Sequence, residues 1–440
     1  MRKLFLIITF VVSHLIFAAE WRITANPGPR SMAGLITDSV NQRMILFAGG
    51  NNRLPWGQYF NDIWFLDFNS ETWRLLQLSG NQPPPRTQPA MVFIPSRNQM
   101  ITFGGRMENI CYNDVWVLNL NPGAESWIQI IPSGTPPMPR DAHSAIFDPI
   151  NNRIIIFGGG DANFIPFNDT WSLNLNDTSW TLLSPSGSLP PPRGAHIAIY
   201  DPIQHQMIIF GGVGGSTFYN DVWALDLTLG YESWHQVFPS GTLPDMRGRH
   251  WGVYDSENRD VVIGFGFNSS GLYYNDVWAL NLNTIAWRQI LPSGVSIEGR
   301  RGSCAAYDPF HHQIFVFGGD QYYDYYFGDT YVLTLDTLAI NENKGNIVIQ
   351  PYIKVTPNPI EFPCRVNAFV PLCRNQVSLK IYDNTGRIVK TLIENGKSSG
   401  NYIIEWDGKD ESGRMVSSGT YFIHLNIDGQ VESSKAVLLK

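Results

Sequence analysis

The sequence has few charged residues, few cysteines and no long apolar run beyond its N-terminal leader. Charged side chains make up 16% of its 440 residues, and the formal net charge is −7. An acidic chain with so few basic groups is a poor partner for nucleic acid, which excludes nucleic-acid binding from the expected functions. No segment after the leader is apolar over the ~20 residues that cross a bilayer, so we expect no transmembrane segment once the leader is removed.

The four cysteines are too few for a disulfide scaffold in a chain of this length. Cys111 and Cys304 fall in repeats that would not be adjacent in the fold derived below. Cys364 and Cys373 flank residues 365–372, which have the pattern of a strand. An extended segment would hold these two cysteines roughly 30 Å apart, so we expect no bridge unless it bends.

Residues 1–19 have the pattern of a secretory signal peptide. Arg2 and Lys3 precede an apolar run over residues 4–17, and Ala18 and Ala19 follow as small residues at a cleavage site. A membrane anchor is the alternative, but the run is shorter than a bilayer-spanning helix. No cysteine follows the run, so we do not expect a lipoprotein anchor. We therefore expect export, with the mature protein secreted or displayed at the cell surface.

Residues 20–340 contain six copies of one unit. An arginine opens each copy, at intervals of 53 to 56 residues: Arg30, Arg86, Arg140, Arg193, Arg247 and Arg300. An Asp-x-aromatic motif lies in each copy, led by Asp62, Asp114, Asp169, Asp221, Asp276 and Asp329. A glycine pair precedes that motif at 49–50, 104–105, 158–159, 211–212 and 318–319, degraded in the fifth copy to Gly264-Phe265-Gly266. A second tryptophan closes five copies: Trp73, Trp127, Trp180, Trp234 and Trp287.

Each unit has four short apolar runs separated by turn residues, which predicts a four-stranded antiparallel sheet. One such sheet cannot bury both faces, but copies stacked around an axis can, so the repeats predict an all-β propeller of six blades. The sixth copy lacks its closing tryptophan, and Ile340 stands at that offset. Trp21-Arg22-Ile23 resembles the missing strand. We predict that this N-terminal segment pairs with the last blade and closes the ring.

These motifs, together with Arg-x-x-His in three copies, resemble kelch repeats. The resemblance implies a kelch-type β-propeller. Some kelch proteins are copper oxidases similar to galactose oxidase, which need histidines and tyrosines converging on one metal. The variable loops here contain no histidine and the ring has six units, so that activity is not carried over. We expect no cofactor and no metal.

The polar segment 341–352 reads as a linker, and residues 353–440 read as a small immunoglobulin-like β-sandwich. Predicted strands cover 377–382, 387–392, 402–406, 419–427 and 431–439. Pro357-Asn358-Pro359, Trp406-Asp407-Gly408 and Ser418-Gly419-Thr420-Tyr421-Phe422 resemble the FlgD-type Ig-like module and the C-terminal sorting domain of the type IX secretion system. The second resemblance implies that secretion machinery acts on this tail. The alternative is a spacer with no sorting role.

The long, divergent loops between the second and third strands of each unit would gather on one face of the propeller, where binding is expected. Aromatic residues that do not repeat between units are the candidate ligand surface for a protein or glycan: Trp56, Tyr59, Phe164, Phe218, Tyr273, Tyr322, Tyr323 and Tyr325. The alternative is that these rings only pack the loops. The ring before each Asp-x-aromatic motif recurs and is interpreted as packing.

The six arginines and six aspartates are expected to form a structural ring of ion pairs, since pairing avoids uncompensated buried charge. An anion site is the alternative. His143, His196 and His250 each lie three residues after an arginine and are interpreted as core histidines rather than metal ligands.

The expected function is therefore an exported binding or scaffold module with a C-terminal secretion or attachment domain. A sugar-active enzyme, oxidase-like or mutarotase-like, is the alternative. Its candidate acid and base groups are Glu108, Asp161, Glu298, Asp320 and Asp324. A passive envelope component without a ligand is a third possibility.

Overall fold

In a computed structural model, the chain divides into two compact units, residues 1–339 and 340–440. The structure describes residues 20–24, 27–51, 57–78, 80–322, 325–335, 352–356, 364–370, 377–396, 400–427 and 430–438. The first unit is the six-bladed propeller and the second is an Ig-like sandwich. The predicted all-β fold class is confirmed.

Every blade is a four-stranded antiparallel sheet. From the innermost strand outward, the strands are Gly34–Asp38, Arg43–Phe47, Ile63–Asp67 and Trp73–Leu76 in blade 1; Ala90–Ile94, Gln99–Phe103, Val115–Asn119 and Ser126–Ile130 in blade 2; Ser144–Asp148, Arg153–Phe157, Thr170–Asn174 and Ser179–Leu183 in blade 3; Ile197–Asp201, Gln206–Gly214, Thr217–Asp226 and Ser233–Val237 in blade 4; Trp251–Asp255, Asp260–Gly264, Val277–Asn281 and Ala286–Ile290 in blade 5; and Cys304–Asp308, Gln313–Phe317, Thr330–Thr334 and Glu20–Thr24 in blade 6.

Short elements complete the propeller. Two-residue hairpins extend three blades at Gly50–Asn51 with Gln58–Tyr59, Arg106–Met107 with Ile110–Cys111, and Asp320–Gln321 with Tyr325–Tyr326. A 3-10 helix spans Pro95–Arg97 in the first turn of blade 2.

The second strand of each blade lies inside its sheet and is buried on both faces. Its residues are almost uniformly apolar, as in Met44-Ile45-Leu46-Phe47 and Ile154-Ile155-Ile156-Phe157, all at most 3% exposed. The first strand alternates buried and half-buried residues. These patterns follow from stacking, since the central strands face neighbouring blades on both sides while the first strands border the axis.

The ring is closed by one hydrogen-bond pattern that repeats at every junction. At the junction of blades 1 and 2, the Arg86 N–H donates to the Phe60 carbonyl over 3.1 Å, and the Gly49 N–H donates to the Arg86 carbonyl over 2.9 Å. The junction of blades 6 and 1 is equivalent, because Arg30 donates to Phe327 over 3.0 Å and accepts from Gly319 over 2.9 Å. The last blade therefore meets the first as any other pair does.

The N-terminal strand Glu20–Thr24 is the outermost strand of blade 6, as predicted. It pairs antiparallel with Thr330–Thr334, and Trp21 lies opposite Leu333. Trp287 lies opposite Leu280 in blade 5 in the same register. The backbone of Trp21 thus takes the position of the missing closing tryptophan, and the two ends of the propeller sequence are joined in one sheet.

A Ser-Gly pair after the outer strand of one blade runs parallel to the outer strand of the next blade. Ser186–Gly187 pairs with Ser233 and Trp234, and Ser293–Gly294 pairs with Glu20 and Trp21. A Cβ on Gly134 in an equivalent pair would lie 2.7 Å from the Trp180 carbonyl oxygen, so only glycine permits this close approach. The pairs protect otherwise open strand edges. Sequence analysis missed them, although the repeated Pro-Ser-Gly is visible.

The second unit has a three-stranded and a four-stranded sheet. Their strands are Tyr352–Thr356, Cys364–Val370 and Gly400–Trp406 in the first, and Ile388–Gly396, Val377–Tyr382, Gly419–Ile427 and Gln430–Leu438 in the second. The core contains Trp406, 1% exposed, whose ring lies edge-on to Tyr421. The predicted strands are confirmed with small shifts at their ends, and Tyr352–Thr356 was not predicted.

The three cysteines that the structure describes, Cys111, Cys304 and Cys364, are free thiols. Cys373 lies outside the described residues. Among the described residues, no helix is long and apolar enough to cross a membrane.

Candidate functional site

The loop-rich face of the propeller is built on the six repeat arginines. Each guanidinium is at most 2% exposed and contacts the aspartate of its own blade over 2.5 to 2.7 Å. Five of the pairs are bidentate, as in Arg193, whose two terminal nitrogens reach both oxygens of Asp221. The arginine also donates to a backbone carbonyl, that of Gly211 for Arg193, over 3.0 Å. The arrangement is that of structural ion pairs, with the arginine donors turned into the protein.

The Asp-x-aromatic motif and the recurrent ring before it serve the same pair. In five blades the tryptophan indole N–H donates to the aspartate over 2.7 to 2.8 Å. The ring preceding the motif stacks on the guanidinium, with centroids 3.4 to 4.5 Å from its central carbon. Each recurrent ring is therefore covered on one face by the arginine of its own repeat.

The glycine pair is needed because the next blade approaches closely. A Cβ on Gly104 would lie 2.7 Å from the Arg140 carbonyl oxygen and 2.9 Å from Cε1 of His143. In blade 1 the equivalent pair is Ala48 and Gly49, with φ of 68° and 94°, rather than Gly49 and Gly50 as the sequence spacing suggested. Sequence analysis placed the pair one residue too late in blade 1, because Gly50 directly follows Gly49 and the two form the visible glycine pair.

Blade 5 replaces the first glycine by Phe265, which adopts a φ of 65°. Its preceding residue, Gly264, stands where the other five blades have a buried phenylalanine. A Cβ on Gly264 would overlap the Trp251 ring, whose centroid lies 5.7 Å from that of Phe265. Trp251 thus fills the volume that the glycine leaves, and the degraded motif is a compensated exchange.

The three histidines are enclosed between blades. His143, His196 and His250 are 6 to 7% exposed, and each ring lies edge-on to a phenylalanine of the preceding blade. Burial and the adjacent arginine lower the pKa of His196 to about 3. Burial, followed by the neighbouring arginine, also lowers the pKa of His143 and His250 well below the usual value. Neutral imidazoles in separate blade interfaces are packing groups here.

A belt of backbone hydrogen bonds joins the residues that lie two positions after the repeat arginines, at five of the six junctions between blades. Its members all have φ between 53° and 66°: Met32, Gln88, Ala142, Ala195, Arg249 and Gly302. Neighbours are joined, for example by the Arg249 N–H to the Ala195 carbonyl over 2.9 Å and the Met32 N–H to the Gly302 carbonyl over 2.7 Å. Left-handed backbone is unfavourable for most residues, and the bonds hold it in place.

Above this belt is a cavity of about 240 Å³, which we call the cup. Its floor includes Met32, Gln88 and Arg249, and its walls come from the loops of blades 1, 2, 3 and 6. The charged side chains lining it are Arg106, Arg249, Arg301, Glu108 and Asp320. Arg301 and Asp320 are each 1% exposed and form an ion pair over 3.0 Å. Arg106 is paired with Asp141 over 3.2 Å.

A continuous row of rings, which we call the aromatic strip, crosses blades 4 to 6 beside the cup. The centroids of Phe218 and Phe267 are 5.1 Å apart, those of Phe267 and Tyr273 are 6.3 Å apart, and those of Tyr273 and Tyr322 are 5.1 Å apart. The Tyr322 N–H also donates to the Tyr273 hydroxyl over 3.0 Å. Three sequence-predicted candidates are thus brought together, and Phe267, which sequence analysis did not single out, joins them.

The remaining candidates lie apart from the strip. Tyr59 lines the cup, and so does Phe164, which is 68% exposed and has the Arg106 guanidinium 4.2 Å from its centroid. Tyr325 is 54% exposed and lies edge-on to Phe327. Trp56 and Tyr323 lie outside the described residues.

Two of the candidate acid and base groups, Glu108 and Asp320, line the cup together, whereas Asp161 and Glu298 are not in its lining. Asp161 accepts the N–H groups of Asn163 and Ile165 in its own loop, and Glu298 is exposed. Asp324 lies outside the described residues. In the part of the chain that the structure describes, no group of three or more His, Cys, Asp and Glu side chains is placed to hold a metal ion.

Two family models match the chain. The KLHDC2/KLHL20/DRC7 Kelch-repeats domain matches residues 16–140 and 120–308, which together exceed half of the chain. The FlgD Ig-like domain matches residues 374–429.

The relatives share the propeller. Acyl-CoA-binding domain-containing protein 5 of Arabidopsis thaliana is 30% identical over 259 residues, covering 56% of this chain and 38% of that protein. Host cell factor 2 of Homo sapiens is 27% identical over 306 residues, covering 62% and 37%. This chain therefore aligns with well under half the length of either relative. The solved structure of YjhT superposes with a TM-score of 0.55 at 16% identity, covering 71% of this chain and 97% of that one, which shows a shared fold.

Proposed function

The chain belongs to the kelch-repeat domain family, and from that premise we propose that its propeller is a scaffold that binds a protein partner through the aromatic strip. Kelch propellers generally bind proteins, and this chain has the kelch propeller over most of its first unit. The comparisons do not favour the sugar-active enzyme that the sequence left open.

The observation that carries the proposal is that the strip is made of rings that do not repeat. The recurrent rings stack on the repeat arginines, whereas Phe218, Tyr273 and Tyr322 are joined across three blades by successive ring contacts that run through Phe267. Tyr322 is 67% exposed. Large rings grouped on a rigid support are the residues that dominate protein interfaces, because they bury much apolar area with little loss of side-chain freedom.

Arginines support the strip from the side of the cup. The central carbon of Arg301 lies 4.7 Å from the Phe267 centroid and 5.7 Å from that of Tyr273. A guanidinium over a ring face is attracted to the ring electrostatically, and this attraction holds the ring in place. The strip is therefore preorganised, which lowers the entropic cost of binding.

Replacement of Tyr322 by alanine should weaken the partner complex by about 30-fold, the loss typical of a central aromatic in an interface. The partner would be isolated with the full chain from an extracellular fraction, purified, and titrated calorimetrically. Tyr231→Ala is the matched control, since Tyr231 is 80% exposed on a turn before the closing strand, on the opposite face. Equal loss in both variants, or loss only in the control, contradicts the proposal.

We also propose that the protein is exported and that its second unit directs sorting or surface attachment. The support is the leader pattern of residues 1–19 together with the match to an Ig-like module at 374–429. Deleting residues 353–440 should retain the protein inside the cell envelope, as measured by immunoblotting of culture medium and outer-membrane fractions. Undiminished export of the truncated chain would leave the sandwich as a spacer.

A further inference from the structure

We propose that the cup binds one neutral sugar ring, either free or at the end of a glycan. This site lies beside the aromatic strip and shares Arg301 with it, but the inference rests on the lining of the cup and does not depend on the strip binding a protein. It names a ligand class for the cup.

The first argument is charge. The cup is lined by three arginines and by Glu108 and Asp320, and Asp141 lies directly behind Arg106. Three positive groups are thus balanced by three negative ones. A strongly anionic or cationic ligand would gain attraction from one set and repulsion from the other, so a net neutral ligand with both donors and acceptors fits best.

The second argument is an incomplete hydrogen-bond set. Oδ1 of Asp320 accepts from Nε of Arg301 over 3.0 Å. Oδ2 is buried and has no hydrogen-bond partner among the described residues. A buried carboxylate oxygen without a donor is unfavourable, and a ligand hydroxyl would satisfy it. A metal cation would satisfy it too, but Arg249 and Arg301 in the same cavity oppose one.

The third argument is the lining. The amide side chains of Asn51, Gln58, Gln88 and Asn109, which contain donors and acceptors, line the cup together with the rings of Tyr59 and Tyr326. A sugar ring presents alternate hydroxyls and C–H faces, which match this mixture. At about 240 Å³ the cup is smaller than the roughly 300–1,000 Å³ clefts that hold larger ligands, so it suits a single ring.

The full-length protein should be tested by ligand-observed NMR and calorimetry against methyl glycosides of glucose, galactose and mannose and against N-acetylglucosamine. Sodium acetate, methylammonium and N-acetyl-triglycine amide serve as anionic, cationic and peptide probes. Binding of at least one neutral sugar is expected, with none of the other probes competing. A glycan array separates the sources: array binding indicates a glycan end, and binding of free glycosides alone indicates a small sugar.

Asp320→Asn should weaken sugar binding by about ten-fold or more, since it keeps the shape but removes the charge from the acceptor. Gln58→Ala, at an exposed position on the facing wall, should weaken it several-fold without disturbing the Arg301 pair. Asp177→Asn, on an opposite-face turn, is the matched control. The proposal is overturned if no neutral sugar binds, if acetate or the peptide binds instead, or if both cup variants bind sugar as the unsubstituted protein does.

Discussion

Lowering the pH from 7 to 5 should reduce the propeller's free energy of unfolding by several kcal/mol. The cause is the set of three histidines between the blades, which are buried beside repeat arginines and kept neutral in the folded protein. Both ring nitrogens of His143 lack a hydrogen-bond partner among the described residues, whereas Nε2 of His196 lies 2.8 Å from Oγ of Ser144. In all three cases burial and the neighbouring arginine oppose protonation of the imidazole.

The sign follows from proton uptake. Unfolded imidazoles bind protons below about pH 6.5, while the folded pKa of His196 is about 3. The unfolded chain therefore holds more protons at pH 5, and stability falls as the pH falls below 6.5. At ~1.36 kcal/mol per pH unit, His196 alone contributes about 2 kcal/mol of destabilisation at pH 5, and His143 and His250 act in the same direction.

His312 works in the opposite direction. Burial lowers the pKa of His312, but the hydrogen bond and the charge of Asp255 raise it by more, so the net shift of the pKa is upward. A raised pKa contributes stability that is present below about pH 6.5 and is lost as the pH rises through the folded value. One stabilising histidine therefore offsets part of the effect of the other three, and the net change remains a loss at acidic pH.

The measurement is urea denaturation at pH 7, 6 and 5, followed by tryptophan fluorescence of the propeller transition. In the triple variant His143→Gln, His196→Gln, His250→Gln, the loss of stability that these histidines cause between pH 7 and 5 should disappear, whatever the starting stability, and the opposite contribution of His312 should remain. The single substitution His312→Gln in the otherwise unsubstituted protein should make the loss of stability between pH 7 and 5 larger. Identical pH dependence in the triple variant and the unsubstituted protein would contradict this account.

The sequence predicted the blades because each one obeys the same local rules. The offset from repeat arginine to aspartate fixed the ion pairs, and the lone Trp21 near the N terminus predicted the closing strand. Such features depend on residues within one unit or on a strand missing from it. They can be read from spacing alone.

The sequence could not predict contacts set by the junctions between blades. Phe267 links Phe218 to Tyr273 only because neighbouring loops converge, and no spacing rule connects them. In blade 5 the Trp251 ring fills the space that Gly264 leaves, and single-residue patterns do not reveal this compensation. Residues with left-handed backbone lie at a fixed offset after each arginine, but their identities vary from methionine to glycine, so no residue type marks them. Backbone position, rather than side-chain type, is what repeats there.

Breaking one repeat ion pair should destabilise the propeller by about 3 to 5 kcal/mol, the effect of leaving a buried charge unpaired. Arg193 and Asp221 are the best test, because the blades on both sides of theirs contain the same bidentate ion pair. Arg193 is 0% exposed and the Asp221 side chain is 19% exposed. The two single variants should therefore differ.

Asp221→Ala should be the more damaging change, since it leaves the enclosed Arg193 guanidinium with only carbonyl acceptors such as Gly211 and the ring of Tyr219. Arg193→Met should be milder, because Asp221 retains the Trp223 indole donor and access to water. The double variant Arg193→Met, Asp221→Ala should recover part of the loss, since neither charge remains. Urea midpoints for the four proteins form a double-mutant cycle. Additive losses with no recovery would show that the pair acts through packing of the arginine stem and ring, and not through charge compensation.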